Sequence, residues 1–339
     1  MTIKDVAKEA GVSVATVSRV LNGTDRVRSE TVESVQKAIE KLNYHPNFLG
    51  RTLRRLETMK ILVVLPTISN QFYSRVIRGI QSVAMQNGYH VMLVTTENDT
   101  EAETEYIEMV RRRLLDGIIF LFSSLTGEQI GRLSEECPVV VASETIPGLS
   151  GVSSVTIDNY KAGYDAVGFL IQNGCRRIAY VSAGQLYGSS CERGAGVRQA
   201  MLDAGLLPED KLFLDEGLTY KAGRRAADRL MQMDSLPDGI FSASDAAAIG
   251  LMRTFLEHDI CPGRDISVMG FDNNPIAEYY NPALTTVAQP QREIGLQAME
   301  LLLQKIHDPS VKPVEIRLPH QLVIRDSVRL LHGTQEGLF

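Results

Sequence analysis

The sequence predicts a small all-α domain followed by a larger α/β unit whose parallel sheets form two lobes. Three observations lead to this prediction. Residues 1–46 contain three short stretches in which apolar residues recur at helical spacing, and a short basic segment follows at 47–59. From residue 60 onward, strand-like apolar segments alternate with amphipathic helical ones. The change of pattern at residue 60 places a domain boundary there.

The first two helical stretches read as a helix-turn-helix. Gly11 lies between them, where a residue without Cβ takes a left-handed backbone at little cost, and Ser13 can cap the second helix with its hydroxyl. Their inner faces consist of small apolar residues: Val6, Ala7 and Ala10 in the first, Val17 and Leu21 in the second. A third helix is indicated by four apolar residues spaced three or four apart: Val32, Val35, Ile39 and Leu42. Three short helices of this kind are typical of a DNA-reading domain.

The charge of the chain is divided between its two regions. The whole sequence has 35 Lys and Arg against 41 Asp and Glu, a net charge of −6. Residues 1–60 hold 11 basic and 7 acidic residues, so the remainder carries −10. A basic head on an acidic body confines phosphate-seeking charge to one end.

Composition argues against several other classes of protein. Charged residues interrupt the start of the chain, and no run of 18 apolar residues occurs, so we expect a cytoplasmic protein without a membrane span. The four cysteines lie far apart, which favours reduced thiols over disulfides or a zinc site. The string GAGVRQA at 194–200 lacks the third glycine of a dinucleotide fingerprint, and no Walker A, GxSxG or HExxH motif is present. We therefore expect no enzyme activity, cofactor or metal.

Two series of short apolar strands follow the linker. The first comprises residues 60–66, 90–96, 116–122, 138–143 and 154–158, and the second comprises 176–182, 211–217, 239–245 and 265–272. Strands that are apolar on both faces and separated by helices indicate parallel sheets covered on both sides. Ligands of such sheets bind beyond the carboxyl ends of the strands, so two facing lobes predict a binding cleft.

The motifs resemble those of the lactose-repressor (LacI) family. The resemblance is carried by TIKDVAKEAGVSVATVSRVLNG and LNYHPNFLGRTLRR in the head and linker. It continues through IDNYKAGYDAVGFLIQNGCRRIAYVS and DISVMGFDNNPIAEYYNPALTTVAQPQREIG. It implies a dimeric DNA-binding transcriptional repressor whose core has the periplasmic sugar-binding-protein fold. A small-molecule effector in the cleft would switch it. A sugar-binding module without a regulatory role is the alternative, although it would not carry a DNA-binding head.

The resemblance also implies domain boundaries. They are a head at 1–46, a hinge helix at 47–59, a first lobe at 60–160 with 291–319, a second lobe at 161–289 with 320–330, and a tail at 331–339. The chain would cross between the lobes near Asn159, Gln289 and Pro319. Because the tail is too short for a heptad-repeat bundle, we expect a dimer rather than a tetramer.

Candidate DNA contacts lie on the second helix. Val14 and Ala15 occupy its exposed start, where side chains without hydrogen-bonding groups read only thymine methyls or shape. Arg19 can pair bidentately with guanine, although it could instead lie on a solvated face. Family positions that contact phosphate are occupied by Thr16, Ser18, Asn22 and Thr31, with Arg26 and Arg28 as further candidates. Ser18 and Thr31 could equally be helix caps or surface hydroxyls.

The hinge contributes one further candidate. Leu53 matches the leucine that hinges of this family insert into the minor groove, and packing against the core is its alternative role. Gly50 and the shortness of the segment predict a frayed helix in the absence of DNA.

Effector contacts are assigned by position within the strand pattern and by family likeness. Asp272 follows a strand end, Arg193 matches a family arginine that holds ligand oxygens, and Phe72 and Tyr73 could stack on a ring. The remaining candidates are Asn70, Asp158, Tyr187, Ser189, Leu218, Asp245 and Gln289. Phe72 could instead be a core residue, and Asp245 a helix N-cap.

Two departures from relatives narrow the effector class. Tyr187 replaces an arginine of purine sensors, and Leu218 replaces a stacking aromatic. These residues argue against a purine base and leave a sugar, sugar acid or nucleoside. An Arg–Asp pair beside aromatic rings favours a sugar-like hydroxylated molecule. We expect effector binding to release DNA, with corepression as the alternative.

Overall fold

The structure is a computed structural model that describes residues 1–21, 27–44, 57–97, 99–184 and 187–331. The chain divides into two compact units, Met1–Thr58 and Met59–Phe339. Each unit is described by itself.

The described residues of the first unit form a three-helix head, as the sequence predicts. Its helices are α1 (Ile3–Ala10), α2 (Val14–Leu21) and α3 (Ser29–Lys41). Val6, Val17 and Val35, one from each helix, are completely buried and form the centre of its core. Gly11 ends α1 in the left-handed conformation with φ of 68°, and the Ser13 hydroxyl accepts a hydrogen bond from the amide of Thr16. The turn and the cap predicted from the sequence are both confirmed.

The second unit alternates strands with helices along the chain. Its strands are β1 (Lys60–Leu65), β2 (His90–Thr95), β3 (Ile118–Phe120), β4 (Val139–Ala142), β5 (Ser153–Ile157), β6 (Ile178–Ser182), β7 (Phe213–Asp215), β8 (Gly239–Ser242), β9 (Ser267–Asp272), β10 (Thr285–Ala288), β11 (Glu315–Leu318) and β12 (Gln321–Val323). Its helices are α4 (Gln71–Gln86), α5 (Thr100–Arg111), α6 (Gly127–Glu136), α7 (Asn159–Gln172), α8 (Gly188–Asp203), α9 (Tyr220–Met231), α10 (Asp245–Glu257), α11 (Pro275–Tyr279) and α12 (Gln291–His307).

The strands form two six-stranded sheets, one in each lobe. The first sheet has the order β11-β5-β4-β3-β1-β2, and the second β12-β10-β9-β8-β6-β7. All neighbouring strands are parallel except β10 and β12. The chain passes from the first sheet to the second between β5 and β6, returns before β11, and crosses again before β12. Each sheet is therefore built from more than one segment of the chain. The carboxyl ends of strands from both sheets can meet in one cleft between the lobes.

One strand differs from the sequence expectation. β2 is not buried on both faces, because it forms an edge of the first sheet and leaves Met92 and Leu93 37% and 42% exposed. An apolar composition alone does not distinguish an inner strand from an edge strand that another surface covers.

Closely packed helix pairs set the position of the cleft residues. In the second lobe α7 crosses α8 at Gly163, where an added Cβ would lie 2.2 Å from the carbonyl oxygen of Arg193. In the first lobe α4 crosses α12 in the same way, with Gly79 against the carbonyl of Arg292 and Gly295 against that of Val76. Glycine permits these backbones to approach closely, so α8 and its Arg193 are held near the first residues of α7.

Candidate functional site

The head presents an exposed face on α2. Val14, Ala15 and Arg19 are exposed, and Ala15 and Arg19 lie on the side of the helix opposite the buried Val17. Thr16 is half-buried, and its hydroxyl forms a 2.9 Å hydrogen bond with the Ser13 hydroxyl. This geometry leaves α2 able to present base-reading side chains from its amino-terminal half.

The other head candidates are distributed around this face. Ser18 is half-buried on α2, Arg28 is exposed at the N-cap position of α3, and Thr31 lies in the first turn of α3. Asn22, Arg26 and the hinge residue Leu53 lie outside the described residues.

A cavity lies between the two lobes of the second unit. It contains about 380 Å³ of empty space, which includes the part that opens to solvent. Its lining comes from both lobes: Asn70, Phe72, Tyr73, Leu121, Ser143, Glu144, Tyr187, Ser189, Arg193, Leu218, Ala243, Asp272 and Gln289. Nine of the eleven predicted effector residues are among them.

Arg193 is the cationic side chain among these lining residues. Its Nε donates to Asn159 Oδ1 and its Nη1 to the carbonyl oxygen of Ala243, each at 2.9 Å. The guanidinium carbon lies 3.8 Å from the centre of the Phe271 ring. Since two polar contacts and one ring face hold the group, its charge points into the cavity region with little freedom to move.

Asp272 ends β9 in a strained backbone conformation. Its φ is 111°, a region that favours glycine, and its Oδ1 accepts a 2.8 Å hydrogen bond from Gln289 Nε2. Its carbonyl oxygen accepts a hydrogen bond from Gln291 Nε2 at the start of α12. Burial raises the pKa of the Asp272 carboxyl to about 7, although the charge of Arg193 opposes this shift. The structure therefore holds a hydrogen-bond acceptor at the cavity wall.

Glu144 links the two lobes. Its Oε1 accepts hydrogen bonds from the amides of Ser189, at 2.7 Å, and Thr145, at 3.0 Å, and its Oε2 accepts one from the Ser189 hydroxyl at 3.0 Å. Glu144 follows β4 of the first lobe, whereas Ser189 belongs to the first turn of α8 in the second. The N-cap residue of α8, Tyr187, makes no side-chain cap, so Glu144 supplies an acceptor to that turn from the opposite lobe. Burial raises the pKa of the Glu144 carboxyl, while its three hydrogen bonds and the charge of Arg193 act in the opposite direction.

Aromatic side chains cover the remaining wall. Phe72 and Tyr73, at the start of α4, are mostly buried and meet edge to face with ring centres 5.3 Å apart. The ring centre of Tyr187 lies 4.9 Å from that of Phe122 of the first lobe. Burial raises the pKa of the Tyr73 hydroxyl well above its usual value, so it remains protonated. Phe72 and Tyr73 also belong to the hydrophobic core. The core position considered for Phe72 is confirmed, and its stacking on an effector stays a prediction.

Two predicted effector residues do not line the cavity. Asp158 caps α7 by accepting a hydrogen bond from the Lys161 amide. Asp245 is completely buried, and it accepts hydrogen bonds from the Asn274 amide and the Thr286 hydroxyl, both at 2.6 Å. The structure does not bring these two side chains into the cavity, and their role as effector contacts stays a prediction. The N-cap of α10 is Ser244 rather than Asp245, so the N-cap alternative for Asp245 is wrong.

Sequence reasoning missed four lining residues. Three of them directly follow strands: Leu121 after β3, Ser143 after β4 and Ala243 after β8. Glu144 is the next residue after Ser143. The rule that ligands meet the carboxyl ends of parallel strands, which identified Asp272, would have found them if applied to every strand.

Metal-binding clusters and membrane-spanning helices are absent from the described ranges. No group of three or more His, Cys, Asp or Glu side chains there is arranged to hold a metal ion. None of the helices in the same ranges has the length and apolar character needed to span a bilayer.

Two family models match the chain. A model of bacterial regulatory proteins of the lacI family matches residues 2–47, and one of periplasmic binding protein-like domains matches residues 167–328. The HTH-type transcriptional regulator RegA of Clostridium saccharobutylicum is 35% identical over 327 residues, which cover 96% of this chain and 98% of the relative. The printed name of this relative is that of a transcriptional regulator.

Two solved structures are similar over nearly the whole chain. The lac repressor dimer bound to operator and the anti-inducer ONPF has a TM-score of 0.87 at 26% identity, covering 97% of this chain and 99% of that one. The complex of the transcriptional regulator CelR with cellobiose has a TM-score of 0.73 at 29% identity, covering 96% and 99%. Both similarities extend over the head and the two-lobed core of this chain.

Proposed function

The chain belongs to the lacI family of bacterial regulatory proteins, and we propose that it is a cytoplasmic repressor that binds a near-palindromic operator as a homodimer and is switched by a small hydroxylated effector. That it is a DNA-binding transcriptional regulator follows from its membership of the family. The partner DNA, the dimer and the effector class are the parts of the proposal that need experiments.

The observation that carries the effector proposal is the convergence of polar and aromatic side chains on one cavity. Asp272 and Arg193 from the second lobe face Phe72 and Tyr73 from the first. Carboxylate and guanidinium groups bind hydroxyls through charge-assisted hydrogen bonds, and aromatic rings cover the apolar face of a sugar. The cellobiose bound by CelR supports this class of ligand.

Exposed apolar residues at an edge of the first lobe support a dimer. Met92 and Leu93 on the edge strand β2 and Met85 near the end of α4 are 37%, 42% and 77% exposed. Apolar side chains exposed at a sheet edge are suited to burial against a second copy. One three-helix head covers only a half-site, so two heads are required on a palindrome. Light scattering of the full chain at micromolar concentration should return a dimer, and a monomer or tetramer would contradict the proposal.

Operator binding can be tested without knowing the target genes. We expect the full chain to select a two-fold symmetric sequence from random duplexes and to bind it at least about 10³-fold more tightly than random DNA. Selection of an asymmetric single half-site, or of no sequence, would contradict the operator part of the proposal.

Effector binding can be tested by thermal-shift measurements against a library of sugars and nucleosides. A ligand at 100 times its Kd adds about 2.7 kcal/mol to the free energy of unfolding. A compound that acts through the cavity should stabilise the wild type and leave Asp272→Ala unchanged. We infer that this compound releases operator DNA. If it strengthens operator binding instead, the protein is a corepressor-activated regulator.

A further inference from the structure

The cavity contains more acidic than basic side chains. Among its described lining residues, Glu144 and Asp272 carry carboxyl groups, while Arg193 carries a guanidinium. Glu144 belongs to the first lobe and Asp272 to the second, so any effector that bridges the lobes meets a carboxyl group on each side. The charges of both carboxyls and of Arg193 act on Tyr73, which places all of them within electrostatic range of one wall.

Glu144 cannot turn away from an incoming anion. Its three hydrogen bonds, to the amides of Ser189 and Thr145 and to the Ser189 hydroxyl, fix both oxygens. The backbone is equally tight, because a Cβ on Gly188 would lie 2.0 Å from the Thr145 carbonyl oxygen. The carboxyl group is therefore a permanent part of the wall.

Arg193 carries one positive charge against the two carboxyl groups of the lining. Its Nε and Nη1 donate to Asn159 and to the carbonyl of Ala243, and its face rests on Phe271. The other N–H groups of the guanidinium remain able to donate to a ligand. An anionic effector would add a third negative charge, which this one cation cannot offset together with the carboxylates of Glu144 and Asp272. Juxtaposed like charges are strongly unfavourable in a buried site.

The hydroxyl of Ser143 indicates which ligand groups the cavity wall can bind. Its hydroxyl is buried and has no hydrogen-bond partner among the residues that the structure describes, and its φ of 67° holds it beside Glu144 on the cavity wall. A buried hydroxyl without a partner is suited to a ligand hydroxyl, which can both donate and accept.

We infer that Glu144 is a specificity-determining residue that excludes anionic effectors and selects an uncharged, hydroxyl-rich molecule able to donate hydrogen bonds to the cavity. This inference rests on the proposed function and removes sugar acids, sugar phosphates and nucleotides from the effector classes. The effector is a neutral sugar or a nucleoside. Its selectivity arises from a repulsive element as much as from attractive contacts.

The test compares neutral compounds with their anionic counterparts. The probes are D-glucose, D-galactose, D-ribose and cytidine against D-glucuronate, D-galacturonate, ribose 5-phosphate and cytidine 5′-monophosphate, each titrated against the full chain in thermal-shift assays at pH 7.5. At least one neutral probe should stabilise the wild type, and its anionic counterpart should bind at least tenfold more weakly. Glu144→Gln should narrow this gap in affinity between the neutral and the anionic probe to less than threefold.

The Glu144→Gln variant can keep the hydrogen bonds to Ser189 and Thr145. Its oxygen can accept from both amides, and its amide nitrogen can donate to the Ser189 hydroxyl, so the variant should fold. Asp272→Asn removes the other carboxylate and should narrow the gap as well. The matched control is Glu128→Gln, an exposed residue of α6 that pairs with Arg132 outside the cavity, and it should leave the gap unchanged.

The outcomes separate this inference from the proposed function. One outcome is that an anionic probe stabilises the wild type to the same extent as its neutral counterpart but does not stabilise Asp272→Ala. That outcome overturns the role of Glu144 and keeps the cavity as the effector site. An unchanged gap in Glu144→Gln also overturns that role. If no probe of either series stabilises the wild type, the neutral-sugar inference and the hydroxylated-effector proposal both fail.

Discussion

The carbonyl oxygen of Arg193 occupies the space into which a Cβ of Gly163 would project, at a distance of only 2.2 Å. Gly163 lies on α7 and Arg193 on α8, and the Cα of Arg193 would be 2.9 Å from the same Cβ. The position of the cavity guanidinium therefore depends on a residue that does not line the cavity.

Gly163→Ala should displace α8 and with it Arg193. We expect a loss of roughly 1–3 kcal/mol in the free energy of urea unfolding, because the added methyl overpacks a buried helix crossing. Effector affinity should fall as well. Gly168→Ala is the matched control, since Gly168 lies on the same helix with no atom within 4 Å of its added Cβ. That variant should be neutral or gain about 0.5–1 kcal/mol. Equal effects of the two substitutions would contradict the importance of the crossing.

Ser189→Ala tests the contact between the lobes. The substitution removes the hydroxyl donor to Glu144 Oε2 and keeps the amide donor to Oε1. Because the lost bond is buried and its acceptor charged, we expect a loss of about 1–3 kcal/mol in urea unfolding. Ser74→Ala removes an exposed hydroxyl on α4 and should stay within about 0.5 kcal/mol of the wild type. A Ser189→Ala protein as stable as this control would show that the cross-lobe bond contributes nothing.

Asp272 should make stability depend on pH. Burial raises the pKa of its carboxyl from the usual 3.8 to about 7 in the folded protein, so the folded state binds more protons than the unfolded state between these two values. Stability therefore falls as pH rises through this window and levels off above about 7. Asp272→Asn should be more stable than the wild type at pH 8, by roughly 1–3 kcal/mol, with the difference vanishing near pH 4. A difference that is independent of pH would refute this account.

Arg19 and Leu53 should have separable effects on DNA binding. Arg19→Ala should relax specificity at one base pair by about 1–3 kcal/mol. Lys37→Ala, which removes one exposed charge from α3, should leave base preference unchanged.

Leu53→Ala should weaken operator binding and spare non-specific binding, because a wedge acts only on bent DNA. Competition assays with operator variants and random duplexes measure both, and equal losses on operator and random DNA for Leu53→Ala would exclude the wedge.

The sequence was sufficient for the fold and for much of the cavity, for identifiable physical reasons. Helical spacing in the head and strand–helix alternation in the core are local properties, and they place Asp272 and Arg193 at element ends. Asp245 shows the limit of such reasoning. It also stands next to a strand end, but its carboxylate turns inward to Asn274 and Thr286, and residue type alone does not give that direction.

Contacts between the lobes were beyond the reach of local patterns. Glu144 and Ser189 are 45 residues apart, and no motif connects them. Their contact follows from the approach of β4 and α8 across the cleft, which is set by the tertiary packing. The exposed apolar residues of β2 were missed for a related reason, because only the strand order shows that β2 is an edge.

The coupling of the cavity to DNA is tested most directly by fluorescence anisotropy on the selected operator. Wild type and Asp272→Ala are compared with and without the compound that stabilises the wild type. We predict that the compound weakens wild-type operator binding by about 5- to 150-fold, the usual range of allosteric coupling. Asp272→Ala should bind operator like the wild type without the compound and show no response to it. A variant that still responds at the same concentration would contradict the assignment of the cavity as the effector site.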